Sequence, residues 1–592
     1  MRRGRRRAFL SILSLLSALF LLLLVVPPRA LGAAPKAKKR SAHAAPASAA
    51  ADLVFRHGPV YTVDAARRWA EAVAVANGRI VFVGGDADAA RWIGPKTRVV
   101  DLAGRMLLPA FHDSHVHPVD GGMDSLEVDL HGLATPAEVL EKVRSYAAAH
   151  PDAAWVRGSG WELPTFPNAN PTRDLLDRIV PDRPVFLYAM DGHSAWVNSK
   201  ALAIAGVTKD TPDPAHGRIE RDAAGEPSGA LREDATGLVS RYLPKRTAKD
   251  RAAGLAEALR IANGYGLTSL QEANASEEDL AAYAAADAKG TLTARVVASI
   301  HCDTDAGVAD VPRIVALRQR YHGRRLRAGG VKIFADGVLE TRTAAVLEPY
   351  VGFGDDRGKL NLEPEAYKAL AVALDAQGFQ IHVHAIGDRA IRETLDALEA
   401  ARAANGARDA RHHIAHLELI DPADVPRFRA LGVVANFQPF WANGDEYILK
   451  LTEPELGPAR SRWLYPIRSV HDSGAAIAFG SDWDVSSVNP LDGIEVAITH
   501  REPSRGPGPP WLPEEQIGLP EAIAGYTIGG AYLDFTERET GSIETGKSAD
   551  LIVLDRNLFT IPSDRIHDAK VLWTLLEGKE VYRAAGFPRS SP

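Results

Sequence analysis

With one cysteine in 592 residues, Cys302, the chain has no partner for an intramolecular disulfide, so no disulfide framework braces it. It also lacks a basic stripe. Lys and Arg number 69 against 75 Asp and Glu, for a formal charge of −6, and this acidic balance argues against a nucleic-acid partner. Aromatic residues are scarce, at 7%, and say little about function. No cysteine closely follows the apolar run near the N-terminus, which argues against a lipoprotein. What remains, 46% hydrophobic and 24% charged, is the composition of an ordinary globular protein. Its length fits a large barrel plus a smaller domain.

The N-terminus stands apart. Arg2 to Arg7 are mostly basic, Ala8 to Val26 nearly all apolar, and Pro27-Pro28 precede the small residues Ala30-Leu31-Gly32-Ala33. That is the layout of a secretory signal peptide over residues 1–33, which implies export to the periplasm or the medium. Arg6-Arg7 followed by Ala8-Phe9-Leu10 also resembles a twin-arginine signal. The competing reading is an uncleaved membrane anchor, the only membrane contact expected. Removing 1–33 takes away six Arg and no acids, moving the formal charge from −6 to −12. Residues 34–51, Ala/Pro/Ser-rich with a solvated basic run Lys36 to Arg40, read as a linker.

From Asp52 short apolar runs alternate with turn residues. Leu53 to Phe55, Val60 to Val63, Ala72 to Ala76, Ile80 to Val83 and Val99 to Leu102 read as strands, with Asn77-Gly78 a tight hairpin. The C-terminal stretch supplies matching strands at Leu551 to Leu554, Val571 to Leu576 and Val581-Tyr582. A β-sandwich assembled from 52–105 and 541–585 is the expectation, with 106–540 inserted between. That insert has a beat of eight candidate strands: Met106 to Phe111, Leu267 to Gln271, Ala294 to Ile300, Val331 to Ala335, Phe379 to Val383, His412 to His416, Val433 to Phe437 and Ala475 to Phe479. Amphipathic stretches such as Asp250 to Tyr265, Glu363 to Gln377, Asp388 to Ala403 and Leu519 to Ala531 lie between most of them. Together they predict an α/β chain with a (β/α)₈ barrel. The gap of about 119–249 is too long for one loop and must hold an inserted subdomain.

In such a barrel the site lies at the C-terminal strand ends. Those ends carry His115 and His117, Lys332, His384, His416 and Asp482. Imidazoles and a carboxylate suit Zn²⁺ or a related divalent ion, one or two per site. A water acidified by such an ion is the expected nucleophile, with Asp482 both touching the metal and moving the proton. For Lys332 two readings stand: an ammonium that pairs with Asp336 or contacts substrate, or a lysine carbamylated by CO₂ into an oxygen ligand.

Five stretches sharpen this pattern: Asp113-Ser114-His115-Val116-His117-Pro118, Asp191-Gly192-His193-Ser194-Ala195-Trp196-Val197-Asn198-Ser199, Gly330-Val331-Lys332-Ile333-Phe334-Ala335-Asp336-Gly337, His384-Ala385-Ile386-Gly387-Asp388-Arg389-Ala390 and Gly480-Ser481-Asp482. Through them, and over about Asp52 to Tyr582, the sequence resembles the amidohydrolase superfamily, in its family-3 branch of YtcJ-like and N-substituted-formamide-deformylase-like enzymes. The resemblance implies a metal-dependent hydrolase of non-peptide C–N bonds acting on a small molecule, an amide first. It favours a carbamylated Lys332 and suggests a homodimer. A cyclic-amide hydrolase or deaminase uses the same water activation; a barrel kept only for binding is the non-enzymatic alternative. His193 is expected to donate a hydrogen bond to the substrate carbonyl or its oxyanion, or else to fix its own loop. Trp161, Trp196 and Trp441 are candidates to line a substrate pocket, with ordinary packing the competing reading. His382, Asp191 and Asn198 read as supporting residues, and Asp388 as a helix cap. The chain departs from the branch at Phe111-His112, at Asp336 to Thr341 and at Gln438-Pro439-Phe440-Trp441, positions that bear on substrate more than on metal.

Overall fold

The computed structural model describes residues 50–503, 506 and 508–588. The proposed signal peptide and the linker up to residue 49 lie outside the described residues. Eight parallel strands form the barrel: β1 Phe111–Val116, β2 Leu267–Ala275, β3 Arg295–His301, β4 Leu326–Phe334, β5 Gln380–Ala385, β6 His413–His416, β7 Val434–Phe437 and β8 Ile477–Phe479. Each pairs with its sequence neighbour from β1 to β8. Between β8 and β1 no ladder forms among the described residues. Instead the chain just past β8 closes the ring: the Asp482 N–H donates to His115 O and the His117 N–H to Trp483 O, both at 2.7 Å. The seam therefore shuts at the strand ends where the candidate ligands sit.

Helices such as Ala248–Gly264, Pro364–Ala376 and Asp388–Asn405 surround the strands. Thr247 opens the first with a reciprocal capping box to Asp250, which satisfies two otherwise free amides. The long gap after β1 holds a six-stranded mixed sheet in the order Gly217–Arg221, Pro227–Glu233, Ser194–Val197, Val185–Ala189, Val156–Trp161, Val128–Asp129. It has an apolar core of its own, around Val128, Trp161, Leu187 and Trp196.

Both chain ends build the remaining sheets. One has four strands, Arg79–Gly84, Ala72–Ala76, Leu53–Arg56 and Arg98–Asp101. The other runs Lys579–Arg583, Val571–Leu576, Leu551–Leu554, Met106–Pro109, Val60–Tyr61, Trp69–Ala70. The hairpin at Asn77-Gly78 forms with both residues at positive φ, 50° and 75°, as the tight turn requires. A Cβ on Gly78 would fall 2.6 Å from Glu577 O, in the C-terminal hairpin. The two tips, some five hundred residues apart in sequence, thus abut where only glycine fits.

One strand reading is corrected. Met106 to Phe111 is not a single barrel strand. Met106–Pro109 pairs antiparallel with Leu551–Leu554 in the six-stranded sheet, and the barrel begins afresh at Phe111. The reason is burial on both faces. Leu107 points into the sandwich core while Met106 and Leu108 point toward the barrel, so the run is apolar throughout and hides the change of sheet at Ala110.

Candidate metal centre

Three of the predicted ligands converge. His115 Nε2 lies 3.2 Å and His117 Nε2 3.1 Å from Asp482 Oδ1, and the three ligand atoms fall within 4.8 Å of one another. Local structure explains why they meet. The buried carboxylate of Asp113 accepts from the Ser481 amide at 2.9 Å, the Ser481 hydroxyl at 2.5 Å and the His115 amide at 3.2 Å, tying β1 to the loop that carries Asp482. Gly480 permits this approach, because a Cβ there would sit 2.5 Å from the His115 nitrogen. Asp482 and His416 both hold positive φ, 55° and 76°, strained for residues with side chains and typical of functional positions.

Hydrogen bonds fix which nitrogen His416 and His384 present, and they link His115 to an outer chain. Gln438 Oε1 accepts from the His416 amide at 3.0 Å, which identifies that atom as oxygen, so the His416 Nδ1 at 2.9 Å must donate and Nε2 keeps its lone pair. His384 Nε2 donates to the Gly337 carbonyl at 3.1 Å, leaving Nδ1 as its free donor atom. His115 Nδ1 meets His382 Nε2 at 2.8 Å, and His382 Nδ1 meets Ser299 Oγ at 2.9 Å. With Ser299 accepting from His382 Nδ1–H and His382 Nε2 accepting from His115 Nδ1–H, His115 Nε2 is free to coordinate. His382 therefore orients His115, the outer partner that metal-binding imidazoles usually have.

The remaining candidates stand beside the trio. Lys332 Nζ is 3.2 Å from His115 Nε2 and 4.8 Å above the Phe334 ring, and it forms no ion pair among the described residues. Asp336, its expected partner, is taken by the amides of Ala345, Ile386 and Gly387 at 2.9–3.0 Å. His416 Nδ1 comes to 3.9 Å from Asp482 Oδ2, and the His384 and His416 rings lie 4.4 Å apart.

Electrostatics follow from this crowding. Burial lowers Lys332 to about 7, against the pull of Asp482 and Glu272. Burial, then the Lys332 charge, lowers His115 to about 3. Burial also tends to lower His117, but the Asp482 carboxylate beside it, with Glu272, raises it to about 9. Burial would raise Asp482, yet the imidazoles around it, His115 foremost, hold it well below the usual carboxylate range. Asp482 Oδ1 is buried and accepts no aligned hydrogen bond, despite two nitrogens at ion-pair distance. Two imidazole nitrogens and an orphaned carboxylate oxygen, converging without hydrogen-bond geometry, are a donor set that fits a divalent cation.

A family model described as "Amidohydrolase family" matches residues 98–582. The chain belongs to the amidohydrolase family. Among curated relatives it is 32% identical to the Arabidopsis thaliana protein LONG AFTER FAR-RED 3, covering 91% of this chain and 92% of that one. It is 30% identical to Bacillus subtilis YtcJ (89% and 99% covered) and 30% identical to the N-substituted formamide deformylase of Arthrobacter pascens (90% and 99%). Among solved structures, an uncharacterized metal-dependent hydrolase from Pyrococcus furiosus superposes with a TM-score of 0.66 at 26% identity, covering 85% and 99% of the two chains.

The amidohydrolase site opens into a cavity of about 570 Å³ lined by all six predicted ligands, His193 and Trp441. Trp441 lies nearly parallel to the His416 ring, 16° apart with centroids at 5.5 Å. The other two tryptophans are elsewhere. Trp161 and Trp196 are fully buried in the core of the inserted sheet, donating to the carbonyls of Leu187 and Thr172, and neither lines the cavity. Asp388 likewise departs from its expected role: it is the first residue of its helix and accepts from the Leu347 amide at 2.7 Å instead of capping. Asn198 does cap a helix, accepting from the Ala201 amide at 3.0 Å.

His193 reaches the site from the inserted sheet, its ring 5.5 Å from that of His384. Burial tends to lower it, but Glu233, whose Oε2 is 2.7 Å from Nδ1, raises it to about 9. Glu233 is itself held by the Thr343 hydroxyl at 2.7 Å. Sequence reasoning missed Glu233, Asp113 and Gln438 as working residues. Asp113 was within reach, since it stands two residues before His115; Glu233 was not, lying forty residues from the histidine it serves.

Proposed function

We propose that this metal-dependent amidohydrolase cleaves the C–N bond of a small, non-peptide amide, an N-substituted formamide or other N-acyl amine. The observation that carries the proposal is the pairing of two unlike groups across one cavity: a buried, ionised Asp482 with an unpartnered oxygen, and a His193 that Glu233 keeps protonated. The formamide deformylase relative supports the amide class.

His115, His117 and Asp482 would hold the ion, with His384, His416 and Lys332 beside them to complete or bridge the site. We take zinc as the ion, because imidazole and carboxylate ligands suit it. When bound, a divalent metal supplies Lewis acidity and a water acidic enough to ionise near neutral pH. Lys332, lowered to about 7, would offer CO₂ a share of neutral amine near neutral pH, and its carbamate would be an oxygen donor where an ammonium is none.

The chain's own groups then have distinct tasks. The Asp482 carboxylate, through the oxygen not turned to the ion, would accept the proton of the attacking water and return it to the departing nitrogen. The protonated His193 donates to the carbonyl oxygen as negative charge gathers there. Trp441, against His416, shapes the wall that the substrate passes. The test is metal quantitation on purified protein together with a screen of N-substituted formamides, N-acyl amino acids, cyclic ureas and aminated bases. Turnover of formamides or N-acyl amines by zinc-loaded protein is expected. Release of ammonia from aminated bases alone would overturn the amide assignment.

A further inference from the structure

We propose that the cavity wall beyond His416 is a subsite for an organic cation, an ammonium or guanidinium carried by the substrate at a distance from the scissile amide, bound by Glu418, Glu340 and Asp445. This rests on the amide reading for its substrate, but its binding component can be tested without turnover.

Three observations lead there. Glu418, two residues past His416, is 4% exposed and lines the cavity, and its Oε2 has no hydrogen-bond partner among the described residues. A buried carboxylate oxygen left bare is costly and calls for a partner from outside the chain. Second, its neighbours are of the same sign. The charges acting on Glu418 are those of Glu340, Asp336 and Asp445; Glu340 faces Asp191 and Asp445 in turn. Asp445 answers to Glu502 and Glu162. Burial pushes all three up, Glu418 well above the usual carboxylate range and Glu340 and Asp445 each to about 7.

Third, the charges of these carboxyls are left unmatched among the described residues. None of the three carboxylates forms an ion pair with Lys or Arg among the described residues. The cavity's two arginines are engaged elsewhere: Arg246 with Asp124 and Glu127, at 3.2 and 2.8 Å, and Arg157 with Glu127 at 3.6 Å. The protein's own hydrogen bonds meet only part of the demand. Asp445 accepts from the Ile448 amide at 2.9 Å, Glu340 from the Thr452 hydroxyl at 3.4 Å, and the Tyr465 hydroxyl meets the Glu418 carboxyl, leaving its Oε2 bare. Tyr465, Tyr447 and Trp441 share the same cavity, and aromatic faces next to carboxylates are how proteins hold organic cations.

A substrate of this class is an N-acylated diamine or basic amino compound. Hydrolysis places the water oxygen on the carbonyl carbon, breaks the C–N bond and sends a water proton to the leaving nitrogen. The distal ammonium keeps its proton and acts only as an anchor.

The experiment compares N-formyl-1,4-diaminobutane, cationic, with N-formylpentylamine, its neutral near-isostere. Wild-type zinc enzyme should favour the cation by at least tenfold in kcat/KM, and Glu418→Gln should bring that ratio close to one. Glu340→Gln should lower it by a smaller factor, which serves if the first variant does not fold. A ratio near one in wild type, or one unchanged in both variants, overturns the subsite. Should neither formamide be hydrolysed, the amide reading fails by itself and binding decides: calorimetry must show pentylamine bound at least tenfold more tightly than 1-pentanol by wild type, with the difference lost in Glu418→Gln. Equal affinities would dispose of the proposal.

Discussion

The two ends of the barrel obey opposite rules. At the N-terminal end, charge is matched. Arg295 at the start of β3 pairs with Asp550 and with Glu577 at 3.3 Å, while Arg324 and Arg325, just before β4, hold Glu577 at 2.8 and 2.7 Å. Asp550 also accepts from Ser548 and the Glu577 amide, so both of its oxygens have partners. At the C-terminal end like groups crowd together. Histidines face histidines, a lysine abuts a histidine, and Asp482 and Glu418 each keep a bare oxygen. One end joins the sandwich to the barrel; the other gathers the candidate ligands round one cavity.

The largest effect should come from the bare end. Asp482→Asn removes the charge between His115 and His117 together with the group that moves the proton. Turnover should fall by about 10³-fold or more and bound metal should drop, with near-UV circular dichroism unchanged. Near wild-type rate in that variant would break the assignment of function to the unmatched end.

Next in size is an effect on stability alone, from the matched end. Burial would raise Glu577, but hydrogen bonds from Arg324 and Arg325, with the Arg295 charge, hold it at about 2. A folded-state pKa below the unfolded ~4.3 means the stabilisation is complete above that pH and lost as pH falls toward 2. Glu577→Gln should therefore cost about 2 kcal/mol at pH 7, discounted for partial exposure, with the deficit shrinking in urea melts from pH 4 downward. Turnover per folded molecule should not change.

The contrast between the ends also explains what could be read from sequence. The barrel was legible because most of its β-strands announced themselves as apolar runs, and the candidate ligands because they recur at strand ends: His115, His384, His416 and Asp482 each follow such a run. Contacts between distant segments were not legible. Nothing near His193 points to Glu233, and nothing in Glu418 distinguishes it from any other glutamate until the fold buries it without a partner. The matched end was equally silent, since Arg295 and Glu577 are 282 residues apart. Met106 to Phe111 misled because burial on both faces erases the alternation that marks which sheet a strand joins.

Glu233→Gln tests whether the inserted sheet contributes more than a cover. His193 would lose the charge that keeps it protonated, so kcat should fall roughly 10- to 100-fold. The pH profile carries the sharper signal. If a protonated His193 is needed, activity in wild type declines above about 9, and in the variant that limb must move to lower pH, because the counter-charge is gone. A fall in rate with an unmoved limb would make Glu233 a structural residue only.

The smallest effects separate two tryptophans that sequence could not tell apart. Trp441 is a wall of the cavity stacked on His416, so Trp441→Ala should raise KM by roughly tenfold. Trp161 packs edge-on to Trp196, at 72°, and against Phe166, with its indole N–H bound to Leu187 O at 3.0 Å. Trp161→Phe deletes that donor and leaves a small void, at a cost of about 1–3 kcal/mol, with KM unchanged. The prediction turns on place, not residue type: the same ring is expected to affect binding where it faces the unmatched end and only stability where it faces its own core. A shift of KM in Trp161→Phe, measured on protein shown to be folded, would mean that the inserted sheet transmits its packing to the cavity, so that the boundary between site and scaffold runs through that sheet.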